Sequence, residues 1–72
     1  MMGSHEGGTK AAHWTTVLNC GTIPTEKQKQ WEARGFQTMT EKQFGGDYHL
    51  KVLREDHKEG FRFDSWYGWV KL

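Results

Sequence analysis

Residues 60 to 72, GFRFDSWYGWVKL, hold five of the ten aromatic residues in a chain of 72, among them two of the four tryptophans. An element covered on one face only cannot bury all five rings. Each buried aromatic side chain removes on the order of 150–250 Å² from water, so this segment decides how large a core the chain can close. It also decides which rings remain at the surface.

The rest of the sequence offers little to compete with it. The opening MMGSHEGGTK has almost no apolar content and contains a Gly-Gly pair, so burial cannot offset the entropy of ordering it. We expect a flexible tail over residues 1–12, and its MGSH start resembles an expression tag. A single domain then spans residues 13–72. A core of about 60 residues rarely supplies more than ~3–5 kcal/mol unaided, which leaves the aromatics as the available reinforcement. Ten Lys or Arg against nine Asp or Glu give a net charge of +1, so no global field draws nucleic acid or an acidic membrane. Cys20 is the single cysteine, which excludes an internal disulfide framework and favours a reducing compartment. No apolar run approaches the length of a membrane span, and the expected location is the cytoplasm.

Hydrophobic patterning predicts an α+β fold. His13 to Cys20 is rich in β-branched and aromatic residues and reads as a strand. Strict alternation places Trp14, Thr16, Leu18 and Cys20 on its core face. Thr25 to Gln28 fits a reciprocal capping box, opening a helix that runs to about Arg34 and ends at Gly35. Trp31 and Ala33 are its apolar residues, so its attachment rests largely on one indole. Phe36 to Thr40 reads as a short strand. A second Thr-Glu-Lys-Gln at Thr40 to Gln43 repeats the capping pattern, but the spacing of 15 is shorter than that of stacked repeats, and coincidence or reuse of one capping device accounts for it.

Asp47 to Arg54 alternates, with Tyr48, Leu50 and Val52 opposite His49, Lys51 and Leu53. The polar stretch from Glu55 to Gly60 then reads as a hairpin connection to the aromatic arm. These elements give a three- to four-stranded sheet with one helix packed on one face and a C-terminal β-hairpin. The first two strands either pair in parallel through a right-handed crossover or belong to a fully antiparallel sheet.

The register of the aromatic arm is open. Strict alternation groups Phe61, Phe63, Tyr67 and Trp69, whereas a bulge at Asp64-Ser65 leaves Tyr67 and Trp69 beside Arg62. Rings left outside the core mark a contact surface, unless they merely seal sheet edges. The expected surface comprises Arg62, Tyr67 and Trp69, with Lys51 and His49 on the neighbouring strand. Trp, Tyr and Arg dominate interface hot spots, so the expected function is a non-catalytic protein-interaction or regulatory module. Its partner is another protein or a second copy. Single-stranded nucleic acid stacking on the same rings is the alternative, and a homodimer binding a small flat ligand is the third.

Glu59 to Trp66 resembles the RNP1 signature of RNA-recognition motifs at Gly60, Phe61, Phe63 and Trp66, and departs from it at Glu59, Arg62 and Asp64. Catalytic and metal chemistry find no constellation. His5, His13, His49 and His57 lie in four segments without ligand spacing. Cys20, before a helix start, has no second Cys, and reads as a small apolar residue. We expect no cofactor, no metal and no catalytic residue.

Overall fold

The computed structural model describes residues 11–72. The expected tail therefore falls mostly outside the described residues, although Ala12 already pairs with Glu55. The described residues form one helix and five strands in the order β1 (Ala12–Cys20), α1 (Thr25–Ala33), β2 (Gln37–Lys42), β3 (Tyr48–Glu55), β4 (Phe61–Asp64) and β5 (Gly68–Lys71). They assemble an α+β fold of two antiparallel sheets, one ordered β1-β3-β2 and the other β4-β5.

The central position of β3 settles the sheet topology. A strand has two edges, and β1 and β2 occupy both edges of β3. The aromatic arm therefore cannot pair with β3 as the sequence suggested, and it folds back on itself as β4-β5. The hairpin partner of β3 is β2, through a turn in which the Gln43 amide donates to the Asp47 carbonyl at 2.7 Å and the Gly46 amide to the Gln43 carbonyl at 2.9 Å. Gly46 adopts φ +100° there, a conformation that favours glycine. β1 and β2 run in the same direction but never touch, because β3 lies between them. Of the two arrangements open from sequence, the fully antiparallel sheet is the one formed.

A bulge re-aims β1. Its pairing with β3 slips between Thr16 and Leu18, so Val17 and Leu18 both pack against the core. Trp14 and Thr16, expected on the core face, instead point away from it, and Trp14 is 42% exposed. One extra residue is enough to exchange the faces of a strand with a two-residue period.

The helix departs from expectation at its start and conforms to it at its end. Pro24 occupies the N-cap position and no side chain caps it. The Gln28 side chain is diverted to the sheet. The Thr40 hydroxyl donates to Gln28 Oε1 at 3.3 Å, Gln28 Nε2 donates to Thr38 Oγ1 at 2.9 Å, and the Thr38 hydroxyl donates to Glu32 Oε2 at 2.7 Å. This relay, rather than a capping box, ties α1 to β2. The second Thr-Glu-Lys-Gln forms the end of β2 and the start of its turn. At the C-terminus, Gly35 has φ +97°, its amide donates to the Glu32 carbonyl, and the Phe36 amide donates to the Trp31 carbonyl. These bonds make a Schellman motif, with the hydrophobic contact that accompanies it: the Trp31 and Phe36 rings meet edge to face at 5.1 Å.

Trp31, Leu50 and Val52 are the buried hydrophobic side chains among the described residues, with Val17, Leu18, Phe36 and Phe63 packed around them. Trp31 also stacks on Phe63 of β4 at 5.9 Å, so a single indole joins the helix, the three-stranded sheet and the C-terminal hairpin. Truncating it opens a cavity where these elements meet. Trp31→Ala is expected to cost about 3–5 kcal/mol, read as a fall in the urea midpoint, and an unchanged melt would contradict the packing described.

Candidate functional site

The C-terminal hairpin turns through Ser65, Trp66 and Tyr67, between the paired residues Asp64 and Gly68. Asp and Gly suit these ends for different reasons. Asp64 Oδ2 accepts from the amides of both Trp66 (2.8 Å) and Tyr67 (2.9 Å). Gly68 has φ +88°, and a Cβ there would stand 3.4 Å from Trp31 Cζ3 and 3.5 Å from Phe36 Cε2. Backbone conformation thus calls for glycine, while a Cβ would be in ordinary contact with both rings.

The helix holds the turn from the other side. Arg34 Nη1 donates to the Trp66 carbonyl at 3.2 Å, and Lys27 Nζ lies 4.1 Å from the Trp66 ring centroid. Cations reach ring faces attractively in this geometry. Despite these tethers, Trp66 is 56% and Tyr67 68% exposed. The result is a turn with a fixed backbone and two large rings in water.

Of the residues expected from sequence, Tyr67 stands on this turn. Arg62 is exposed on β4, its Nη1 3.7 Å from Asp64 Oδ1. Trp69 is half-buried and packs edge to face on Phe63 at 5.4 Å, with the Arg54 guanidinium 5.7 Å and the Lys58 ammonium 5.9 Å from its centroid. Lys51 and His49 lie elsewhere. Leu50 and Val52 of β3 pair with Thr40 and Thr38, whose hydroxyls meet α1, so the alternating His49 and Lys51 face away from the helix. Lys51 Nζ is bound to Glu41 Oε1 at 2.6 Å. That bond, followed by one from Gln43, holds the Glu41 carboxyl below its ordinary range. The structure thus carries Arg62, Tyr67 and Trp69 on one hairpin, away from Lys51 and His49. It pairs Trp69 with Phe63 and Arg62 with Val70, so Arg62 and Trp69 take opposite faces, and the bulged register that set them side by side is not the one formed.

Sequence reasoning missed Trp66, Lys27 and Arg34 as parts of this site. The spacing of Asp64 and Gly68 was the available signal for a turn, and it places Trp66 at the tip rather than in a strand. The eight-residue resemblance to RNP1 breaks at the same point, since its last aromatic position lies in the turn. Elsewhere, Cys20 is half-buried and its thiol donates to the Thr22 carbonyl at 3.1 Å. Among the described residues, no group of three or more His, Cys, Asp or Glu could hold a metal ion, and no helix is long and apolar enough to cross a membrane. No protein-family model, curated protein or solved structure gives a match to this chain.

The turn carries a pH dependence. Hydrogen bonds from the Tyr67 and Trp66 amides, with Arg62 adding to them, hold the Asp64 carboxyl below its ordinary value. A depressed carboxylate stabilises the folded turn fully above the unfolded-state pKa, and that contribution is lost as pH falls through the lower folded value. The Trp66 and Tyr67 amide resonances are therefore expected to titrate together, below the usual aspartate range, and to stop titrating in Asp64→Asn. Titration in the ordinary range, or persistence in the Asn variant, would contradict the assignment.

Proposed function

We propose that the chain is a non-catalytic protein-interaction or regulatory module whose contact surface centres on the Trp66-Tyr67 turn, with Arg62 beside it and Trp69 packed behind. One observation carries this reading: the turn backbone is fixed by Asp64, Gly68 and Arg34 while both rings stay exposed. A loop backbone ordered before binding loses less entropy when a partner arrives. Trp, Tyr and Arg are also the residue types on which interface energy concentrates. Lys51 and His49, on the far face of the larger sheet, fall outside this surface.

Stacking of single-stranded nucleic acid on the same rings is the competing proposal. Lys27 already lies over the Trp66 ring at 4.1 Å, so a base approaching that face would have to displace it. A photo-crosslinking residue substituted at Tyr67 is expected to capture a discrete protein adduct in cells, absent when the same residue replaces exposed Gln37. With the partner in hand, Trp66→Ala and Tyr67→Ala should each weaken binding by about 2 kcal/mol or more. Oligonucleotides at low salt should leave tryptophan fluorescence unchanged, and quenching would transfer the surface to the nucleic-acid reading.

A further inference from the structure

We propose that two copies of this chain pair edge to edge through β1, antiparallel about Trp14, to join their three-stranded sheets into one continuous sheet. This surface lies apart from the Trp66-Tyr67 turn. β1 is an edge strand, and its nine residues, AHWTTVLNC, include no Lys, Arg, Asp, Glu or Pro. Exposed edges are ordinarily guarded by charge, proline, short length or a covering element. The opposite edge, β2, carries Glu41 and Lys42 and is bonded to α1. Among the described residues, β1 has only its bulge.

The hydrogen-bond parity of β1 identifies the pairing. The Asp56 amide donates to the Ala11 carbonyl at 2.7 Å, continuing the register in which Ala12 faces Glu55. In an antiparallel ladder, alternate residues turn their backbone groups toward the same neighbour. Ala11, His13 and Thr15 therefore face β3, and Ala12, Trp14 and Thr16 direct their N–H and C=O groups outward. The bulge after Thr16 ends this regular stretch. A two-fold axis at Trp14 uses all of it: Trp14 pairs with Trp14 of the second copy, and Ala12 with Thr16 in both directions. Every outward donor and acceptor of the stretch then finds a partner.

Side chains agree with this register. Trp14 is 42% exposed and lies opposite Leu53 on the face of the sheet away from α1. The axis sets the two Trp14 rings side by side between the two Leu53 side chains, as a cross-strand aromatic pair. It brings no like charges together, which is what a self-complementary strand requires of a two-fold contact. Because paired residues share a face, both α1 helices lie on the same side of the joined sheet.

Sedimentation velocity over a wide concentration range tests the proposal. The weight-average mass of the wild type should rise toward twice the monomer value. Trp14→Lys and Trp14→Glu should each remain monomeric with an unchanged circular dichroism spectrum, and an equimolar mixture of the two should regain the dimer. Thr16→Pro removes an outward N–H at an edge position that tolerates proline, and should also abolish association should the Trp14 variants lose their fold. A wild type that is monomeric at every concentration, a dimer that survives Trp14→Lys, or a mixture that fails to associate would each overturn the pairing.

Discussion

The packing of one indole organises this fold. α1 has a single buried residue, Trp31, and that residue meets Phe36 just beyond the helix and Phe63 in the C-terminal hairpin. Phe36 and Phe63 close the cluster at 6.1 Å. The Schellman geometry at Gly35 makes the arrangement possible, because it returns the chain so that Phe36 lies against the last turn of its own helix. Gly68 lies against the cluster from the hairpin, and its φ of +88° sets the end of the turn there. Without Trp31, the helix would retain mainly its polar relay to β2, and hydrogen bonds of that kind contribute only about 0.5–1.5 kcal/mol each.

The same constraint determines what lies on the surface. A core this small cannot enclose ten aromatic rings, and cations lie against several of them, at the margin and over Trp31 itself. The Arg54 guanidinium lies 4.5 Å from the Phe63 centroid, Arg34 4.6 Å from Trp31 and Lys58 4.6 Å from Phe61. Long basic side chains that lay their stems over rings and keep their charges in water reconcile aromatic surface with solubility. Trp66 receives such a cover from Lys27, whereas Tyr67 at the tip and Trp14 on the sheet face away from α1 remain exposed. The proposed partner surface and the proposed dimer edge are thus two of the places where the aromatic supply exceeds the capacity of the core; a third is Phe44, fully exposed in the β2–β3 turn.

The sequence was informative wherever a local signal met no competitor. The alternation of β3, the helix from Thr25, the stop at Gly35 and the weight carried by Trp31 were all legible in this way. It misled where two local signals competed for one partner. The polar connection after Glu55 announced a hairpin between β3 and the aromatic arm, whereas β2 and β1 take the two edges of β3. Gln28 could serve its own helix end or the threonines of β2, and the tertiary partner prevailed. In β1 the bulge is invisible to a two-residue period, which is why Trp14 was assigned to the wrong face. At the candidate site, Tyr67, Trp69 and Arg62 were legible from residue type, but Trp66 required knowing that the arm bends at Asp64 rather than running on. The two copies of Thr-Glu-Lys-Gln, one in a helix and one ending a strand, show how little four residues determine outside their context.

If Trp31 joins helix, sheet and hairpin into one cooperative unit, then β4-β5 should have no stability of its own, since an isolated two-stranded hairpin is marginal in water. Native-state hydrogen exchange, resolved by residue, measures this directly. The account predicts that the protected amides of the β4-β5 ladder open with the same free energy and denaturant dependence as those of α1 and β3. A hairpin that exchanges through a separate, low-energy opening while α1 and β3 stay protected would contradict it.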